Sequence, residues 1–280
     1  MSQSRQVANT RSWQRDWPLY VALVILAVIT YIPFIFTIIN SFKSNDQFFT
    51  EFWLPVFPLH FENYQRAWPA MWRSILNSFT YSVPTAILTL IISGLSGYAF
   101  ARYRFPGRHI LFFMMLALIM IPGILLIVPM FSVIVAMGWG NTIQGLILPW
   151  TAGQIVFGTF LMRTFFETMP NEFFEAARLD GAGELTLLFR IAIPLAVPAL
   201  ATLGILNLLF TWNDLIWPLV SIFDSAKFPV SIGVLTFSSQ YGTDYGVTFA
   251  SYVIASLPLI IIFGFTSRRF MEGLSGGLSL

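Results

Sequence analysis

The sequence predicts an all-α membrane protein with six transmembrane helices. Of its 280 residues, 56% are hydrophobic and only 10% are charged, whereas about a quarter of the residues in an average soluble domain are charged. Five stretches lack Asp, Glu, Lys, Arg and His: 17–42, 74–101, 110–162, 191–213 and 245–267. Each is long enough to cross the hydrocarbon layer as a helix, which takes about 20 apolar residues.

The third stretch is long enough for two spans. It contains Gly138-Trp139-Gly140-Asn141, in which two glycines and an asparagine favour a turn. The first stretch is longer than the roughly 7–15 apolar residues of a signal peptide and is interpreted as an uncleaved anchor. We therefore predict six helices, at about 18–41, 77–101, 110–136, 143–163, 192–213 and 246–267.

Small residues and prolines in these spans predict a closely packed, kinked bundle. Ser93, Gly97 and Ala101 recur every four residues along the second span, and such a stripe allows close contact between helices. An interior proline removes a backbone donor and tends to kink a helix. The prolines within the spans are Pro33, Pro84, Pro122, Pro129, Pro149, Pro194, Pro198 and Pro258.

The distribution of Lys and Arg predicts that both chain ends lie in the cytoplasm. In a six-span protein, the two ends and two of the loops share one side of the membrane. These segments contain 11 of the 15 Lys and Arg residues. Since loops rich in Lys and Arg remain on the cytoplasmic side, the N- and C-termini are predicted to be cytoplasmic.

The absence of certain residue types excludes or disfavours several functional classes. Without cysteine, and with only His60 and His109, disulfides and thiolate ligands are excluded and a histidine-based metal site is disfavoured. Gly94-Leu95-Ser96-Gly97 resembles a serine-hydrolase string, but no histidine lies in a span to activate Ser96. A net charge of +2 gives no reason to expect a nucleic-acid partner.

The charge-free spans also constrain the energy source for transport. Carriers driven by protons or sodium commonly bind the coupling ion with charged side chains at mid-membrane, and the five stretches contain none. A P-loop needs Gly-Lys followed by Ser or Thr, whereas the two lysines, Lys43 and Lys227, follow Phe42 and Ala226. ATP-driven transport would therefore need a separate ATPase polypeptide. A self-contained secondary carrier or channel is the alternative.

The loop between the fourth and fifth predicted spans contains a candidate docking helix. Asn171 can cap it, Glu175 suits the positive end of its dipole, and Gly181 can end it in a left-handed conformation. The pair Ala176-Ala177 leaves a thin surface that could fit a groove on a partner. The alternative is a solvated loop helix with an ion pair between Glu175 and Arg178.

The candidate docking helix and the residues after it resemble the EAA motif of binding-protein-dependent ABC importer permeases. The matching residues are Glu175-Ala176-Ala177, Asp180-Gly181-Ala182 and Ile191-Ala192-Ile193-Pro194-Leu195. About residues 73–272 are similar to the carbohydrate-uptake branch, specifically the six-span second permease of the maltose transporter type. This wider similarity rests on Asn77-Ser78, Tyr98-Ala99-Phe100-Ala101-Arg102, Phe105-Pro106-Gly107-Arg108, Met120-Ile121-Pro122-Gly123, Gly145-Leu146-Ile147-Leu148-Pro149 and Trp212-Asn213-Asp214.

The resemblance implies the ABC importer type I permease fold and a transport subunit that is not an enzyme. Residues 1–72 would hold an N-terminal tail, the first transmembrane helix and an external loop. Residues 73–270 would form the permease domain, with cytoplasmic coupling helices at about 170–190, and 271–280 a cytoplasmic tail. The residues that would dock on the ATPase are Glu175, Ala176, Ala177, Arg178, Asp180 and Gly181.

The implied partners are a second permease subunit in a heterodimer, two copies of a P-loop ATPase subunit and an extracytoplasmic solute-binding protein. The chain would lie in the bilayer of the cell (inner or plasma) membrane. No cofactor is expected on this chain, because the partner ATPase would use the ATP and Mg. The substrate would be a sugar or oligosaccharide, with glycerol phosphate as the alternative.

Four polar or aromatic residues are candidates for the solute pathway: Gln154, Asn207, Trp212 and Asn213. Sugars are commonly bound by side-chain hydrogen bonds and by stacking on aromatic rings, and these residue types provide both. The alternative is that the polar residues form hydrogen bonds between helices and that Trp212 anchors the chain at the membrane interface.

Overall fold

The computed structural model describes residues 3–241 and 244–276, and side chains within 16–241 and 244–265. Part of the predicted C-terminal tail, residues 277–280, lies outside the described residues. The described elements are all helical: α1 (Gln3–Ser41), α2 (Asn45–Thr50), α3 (Glu62–Arg102), α4 (Arg108–Ile119), α5 (Ile127–Ala136), α6 (Ile143–Glu167), α7 (Asn171–Leu179), α8 (Glu184–Thr186), α9 (Ile193–Leu195), α10 (Val197–Asn213), α11 (Ile216–Ser221), α12 (Val230–Gln240) and α13 (Tyr245–Gly276). Leu187–Ala192 forms a π-helical turn, while Gly123–Leu126 and Ser225–Lys227 form 3-10 turns.

Four described helices are long and apolar enough to cross a membrane: α1 from Asp16, α3, α6 and α13 as far as Phe265. They contain the first, second, fourth and sixth predicted spans. The count rises to six if each of two bent helix pairs crosses once. The chain is therefore a helical protein with several apolar spans.

The third and fifth predicted spans are bent, as their prolines indicated, but each is broken into two helices instead of forming one kinked helix. The third bends by 92° between Ile119 and Gly123, and the fifth by 71° between Leu195 and Val197. Pro122 has extended backbone angles at the first bend, and Pro198 lies in the first turn after the second. A proline lacks the N–H group that would continue the helix and disfavours helical geometry in the residue before it.

The predicted turn between the third and fourth spans is confirmed. α5 ends at Ala136 and α6 begins at Ile143. Gly138 and Asn141 have φ angles of 69° and 56°, in the left-handed region that glycine and asparagine adopt most readily. Thr142 then caps α6, because its hydroxyl accepts a hydrogen bond from the Gly145 N–H group.

Met1–Trp68 and Phe237–Ile254 form one compact unit. Its aromatic side chains pack closely, with the rings of Phe48 and Tyr245 stacked at 4.5 Å. Lys43 is buried and its Nζ donates to the carbonyl oxygen of Glu51 at 2.6 Å. Burial lowers the pKa of Lys43, because removal from water disfavours the charged ammonium.

Pro69–Thr236 and Ala255–Leu280 form the second unit, in which α3, α6 and α10 pack together. A Cβ atom added at Gly97 would lie 2.6 Å from Cβ of Met162, and one added at Gly158 would overlap the Ser93 hydroxyl. The predicted small-residue stripe therefore lies at a close crossing of α3 and α6, which confirms its packing role. Ala101 also packs against the apolar core of this unit.

Candidate docking helix and pathway residues

The docking helix predicted from the sequence is α7, and its C-terminal end is as expected. Gly181 has a φ angle of 83°. The Gly181 N–H group donates to the Arg178 carbonyl at 3.0 Å, and the Ala182 N–H group to the Ala177 carbonyl at 2.9 Å. These two bonds form the Schellman motif, which satisfies carbonyls left open at a helix end.

The predicted N-terminal cap of α7 is wrong. Pro170 takes the cap position with extended backbone angles, and Asn171 is the first helical residue. The Asn171 side chain turns to Arg102 instead, where its Oδ1 accepts from Nη1 at 2.6 Å. A hydrogen bond to a guanidinium is stronger than one between neutral groups, which accounts for the different partner.

α7 has one buried side and one exposed side. Phe174 is only 3% exposed and lies in an apolar cluster with Tyr98, Phe166 and Leu187. Leu179, by contrast, is 90% exposed. The apolar residues of α7 therefore do not share one face, because some complete the core and others point outward.

The six predicted docking residues divide in the same way. Ala177 is half-buried and packs against the core cluster. The predicted pair between Glu175 and Arg178 does not form, since Arg178 contacts Oε1 of Glu184 through Nη2 at 3.1 Å. The residues that are exposed are Glu175, Ala176, Arg178, Asp180 and Gly181.

Arg102, the last residue of α3, contacts α7 and the segment before it. Its Nη2 donates to the Phe166 and Met169 carbonyl oxygens at 2.6 and 2.7 Å. Its guanidinium carbon lies 4.1 Å from the ring centroid of Phe174. Together with the bond to Asn171, these contacts join α3, the end of α6 and α7 at one side chain.

A second link joins α3 to the residues after α7. The Tyr103 hydroxyl donates to Oε2 of Glu184 at 2.9 Å. Burial and the bond to Glu184 raise the pKa of Tyr103 to about 12. The hydroxyl is therefore protonated, and able to donate, throughout the physiological pH range.

The four candidate pathway residues differ in burial and in their partners. Asn207 is buried and its Nδ2 donates to Oγ1 of Thr89 at 3.2 Å. Trp212 is buried against Phe79, with ring centroids 5.1 Å apart. Asn213 is exposed and Gln154 half-buried. Among the described residues, no hydrogen bond or ring contact joins any two of the four candidates.

This helical unit matches a known family of transport proteins. The model of the family described as "binding-protein-dependent transport system inner membrane component" matches residues 93–274. The chain belongs to this family. The match includes α7 and the greater part of the helical core around it.

The permease is similar to other proteins over most of its length. It is 33% identical over 263 residues to the diacetylchitobiose uptake system permease protein of Streptomyces coelicolor, covering 92% of this chain and 87% of that protein. It is 32% identical over 268 residues to an arabinooligosaccharides transport system permease protein of Halalkalibacterium halodurans, with coverages of 94% and 95%. A solved bacterial ABC transporter that imports alginate has a chain with a TM-score of 0.79, 27% identity, and coverages of 93% and 98%.

These matches confirm the resemblance found in the sequence. The chain has the ABC importer permease fold and is a permease subunit of an ATP-driven importer. It is a transport component and not an enzyme, and the ATPase is a separate subunit. The roles of individual residues in α7 and in the pathway stay predictions.

Asp214 of the permease has a structural role that the sequence predictions did not include. This residue follows α10, and its Oδ2 accepts from Nε1 of Trp150 on α6 at 2.6 Å. Its Oδ1 accepts from the Ile216 and Trp217 N–H groups at 3.1 and 3.4 Å. An Asp next to an apolar span, followed by another apolar run, is a signal for a helix cap that the sequence contained.

Proposed function

We propose that this permease forms half of an import pathway for a sugar or oligosaccharide and that α7 docks on the ATPase subunit. The observation that carries the docking proposal is the two-sided packing of α7. Phe174 is buried in the core, while Leu179 is exposed at the end of the same short helix. A helix held on one side and open on the other suits a groove on a partner.

The exposed side of α7 defines a revised docking face. We propose that Glu175, Ala176, Arg178, Asp180 and Gly181 contact the ATPase together with Leu179, and that Ala177 supports them from inside. Ala176 leaves the centre of this face thin, so a partner surface can approach the helix closely. Glu175 is exposed and forms no ion pair with another described residue, and it would pair with a basic residue of the ATPase.

The substrate class follows from the relatives. Two similar permeases are named for diacetylchitobiose and arabinooligosaccharides, and the similar solved transporter imports alginate. Oligomers or polymers of sugar units are common to all three. This chemistry supports an oligosaccharide over glycerol phosphate.

The complete importer would contain a second permease subunit, two copies of the ATPase and an extracytoplasmic solute-binding protein. The family description itself refers to a binding protein. ATP and Mg²⁺ would bind to the ATPase subunits. Their closure on ATP would displace α7, and the permease pair would then open outward to receive the solute.

We further propose six spans, with both termini in the cytoplasm of a cell (inner or plasma) membrane. This count requires each bent helix pair to cross once. The positive-inside rule supports the orientation, because 11 of the 15 Lys and Arg residues then lie on the cytoplasmic side with α7. In this orientation α7 faces the compartment that supplies ATP.

Asn207 is the strongest of the four pathway candidates. It is fully buried on α10, and its Oδ1 has no hydrogen-bond partner among the described residues. A buried acceptor without a donor is costly, and a sugar hydroxyl or a water molecule could satisfy it. The pathway would also include the three weaker candidates, Gln154, Trp212 and Asn213.

Purification of the tagged chain from its native membrane tests the proposed function. We expect a second permease and a P-loop ATPase to be recovered with it. Leu179→Asp should lose the ATPase but keep the second permease, while Leu179→Met, which keeps an apolar side chain of similar size, should keep both. Recovery of the wild-type chain alone would favour a self-contained carrier.

A further inference from the structure

We propose that Arg102 positions α7 and makes the docking helix and α3 move as one body. This inference rests on the proposed docking function of α7. It assigns a specific role to a side chain that touches neither the proposed ATPase face nor the candidate pathway residues. Its basis is the set of contacts that converge on one guanidinium group.

The polar contacts of Arg102 reach three successive parts of the chain. Phe166 lies in the last turn of α6, Met169 in the connection, and Asn171 at the start of α7. Carbonyl groups at a helix C-terminus lack partners within the helix and carry partial negative charge. A planar guanidinium with several fixed donors can bond all three acceptors at once.

Apolar contacts hold the same junction. The ring of Phe174 lies under the Arg102 guanidinium, and its centroid is 6.4 Å from that of Tyr98, which is one turn earlier on α3. Tyr98 also meets Phe166 edge to face, with centroids 5.5 Å apart. The last turn of α3 therefore binds α7 through both a charged and an aromatic side chain.

The link between Tyr103 and Glu184 does not replace this junction. Glu184 begins α8 and lies beyond the Gly181 turn. Its side chain and that of its other partner, Arg178, are 46% and 48% exposed, and exposed ion pairs contribute little. Without Arg102, a displacement imposed on the outer face of α7 would be taken up by the connection before α7 rather than passed to α3.

Lysine at position 102 provides a selective test. Its ammonium group keeps the charge but cannot reproduce the planar set of donors or stack on a ring in the same way. Arg163→Lys is the matched control. Arg163 also has a guanidinium over a ring, that of Phe112 at 3.7 Å, and its ion pair is with Glu167 rather than with α7.

The first measurement is hydrogen exchange of the α7 amides in the purified complex. Arg102→Lys should speed exchange within 171–179 by about tenfold or more, the factor expected when one hydrogen bond to a charged group is lost. Arg163→Lys should leave exchange in α7 unchanged. Equal exchange in wild type and Arg102→Lys, or an equal increase in both variants, would overturn the positioning role.

The second measurement is uptake of labelled oligosaccharides by reconstituted complexes, compared with their ATP hydrolysis. The probes are diacetylchitobiose, an arabinooligosaccharide and an alginate oligosaccharide, and the one that wild type accumulates is used. Arg102→Lys should assemble with the ATPase and hydrolyse ATP while most of the uptake per ATP is lost. If uptake and ATP hydrolysis fall by the same factor in Arg102→Lys, the role of Arg102 is merely structural and the inference is overturned.

A rescue variant keeps the test decisive if Arg102→Lys folds poorly. Asn171→Asp supplies a carboxylate to the lysine at the position where Asn171 accepts from Arg102, so the double variant should recover most of the uptake per ATP. An uptake per ATP in the double variant no higher than that of Arg102→Lys would count against the inference. If the wild-type complex lacks an ATPase, the proposed function fails, whereas the exchange measurement still reports on Arg102.

Discussion

Two glycines, Gly97 and Gly181, determine local geometry for different physical reasons. At Gly97 the limit is space, because α6 passes where a side chain would lie. At Gly181 the limit is the backbone, because its φ angle of 83° is unfavourable for any residue with a Cβ atom. Space is not the limit there, since no atom lies within 4 Å of the position that a Cβ would take. The first glycine affects the stability of the bundle, and the second affects the end of α7.

Gly97→Ala should destabilise the bundle, and Gly94→Ala should not. A Cβ at Gly97 would lie 2.8 Å from the Arg163 backbone nitrogen, and such overpacking costs about 1–3 kcal/mol. At Gly94 the nearest atom would be Cδ1 of Ile193 at an ordinary 3.7 Å. The thermal unfolding temperature in detergent should therefore fall for Gly97→Ala alone, and equal shifts in both variants would contradict the close crossing.

Replacement of Glu175 or Gly181 by arginine should abolish uptake while membrane insertion remains normal. Both changes place a bulky cation on the proposed docking face, and the one at Gly181 also disturbs the left-handed turn. Gly183→Arg is the control, since Gly183 is exposed two residues away with a φ angle of −74°. Uptake in intact cells is the measurement. Normal uptake by both Glu175→Arg and Gly181→Arg would contradict the proposed docking role of α7.

At the scale of elements, α7 shows what the sequence could and could not predict. Its existence and its end follow from local residue types, because Gly181 is suited to a left-handed cap wherever the chain goes next. Its beginning depends on Arg102, which lies 69 residues earlier and competes for the Asn171 side chain. Local patterns do not reveal such a competitor. The division of α7 into buried and exposed sides was missed for the same reason.

Asp214 and Trp150 should be energetically coupled, because a hydrogen bond between them joins α6 to the end of α10. A double-mutant cycle with Trp150→Phe and Asp214→Ala should give an interaction free energy of unfolding of about 1–2 kcal/mol. The measurement is chemical unfolding in detergent. The control pair is Trp150→Phe with Asp224→Ala, because Asp224 caps its own turn. The free-energy changes of these two substitutions should add within roughly 0.5 kcal/mol. Additivity in both pairs would refute the coupling.

At the scale of the whole molecule, composition and charge predicted the class of protein because they report on the solvent around it. A bilayer excludes charged side chains from the segments that cross it. Four spans could therefore be located from the positions of charge-free stretches in the sequence. The prolines predicted kinks in the third and fifth spans, but the helix breaks at residues 120–122 and 196, with bends of 92° and 71°, were not predicted. A proline tends to kink a helix, but whether the helix continues or breaks depends on what packs beside it, since α6 continues through Pro149 without a break.

The proposed topology can be measured with single cysteines, because the chain has none of its own. Pro106, Met137, Leu179 and Ser225 are exposed and flank the two bent pairs. If both pairs cross, an impermeant maleimide applied from outside should label Met137→Cys and Ser225→Cys in intact spheroplasts. It should label Pro106→Cys and Leu179→Cys only after permeabilisation. Labelling of positions 106 and 137 from the same side would show that α4 and α5 form a re-entrant loop.

The most direct measurement of the central claim is uptake into vesicles that contain the purified complex, with binding protein and labelled oligosaccharide outside. ATP-driven import through a permease with no charged side chain in its apolar stretches predicts accumulation only with ATP inside. It also predicts that a protonophore leaves this accumulation unchanged, since no proton is coupled. Accumulation without ATP that a protonophore abolishes would contradict the account and identify a secondary carrier.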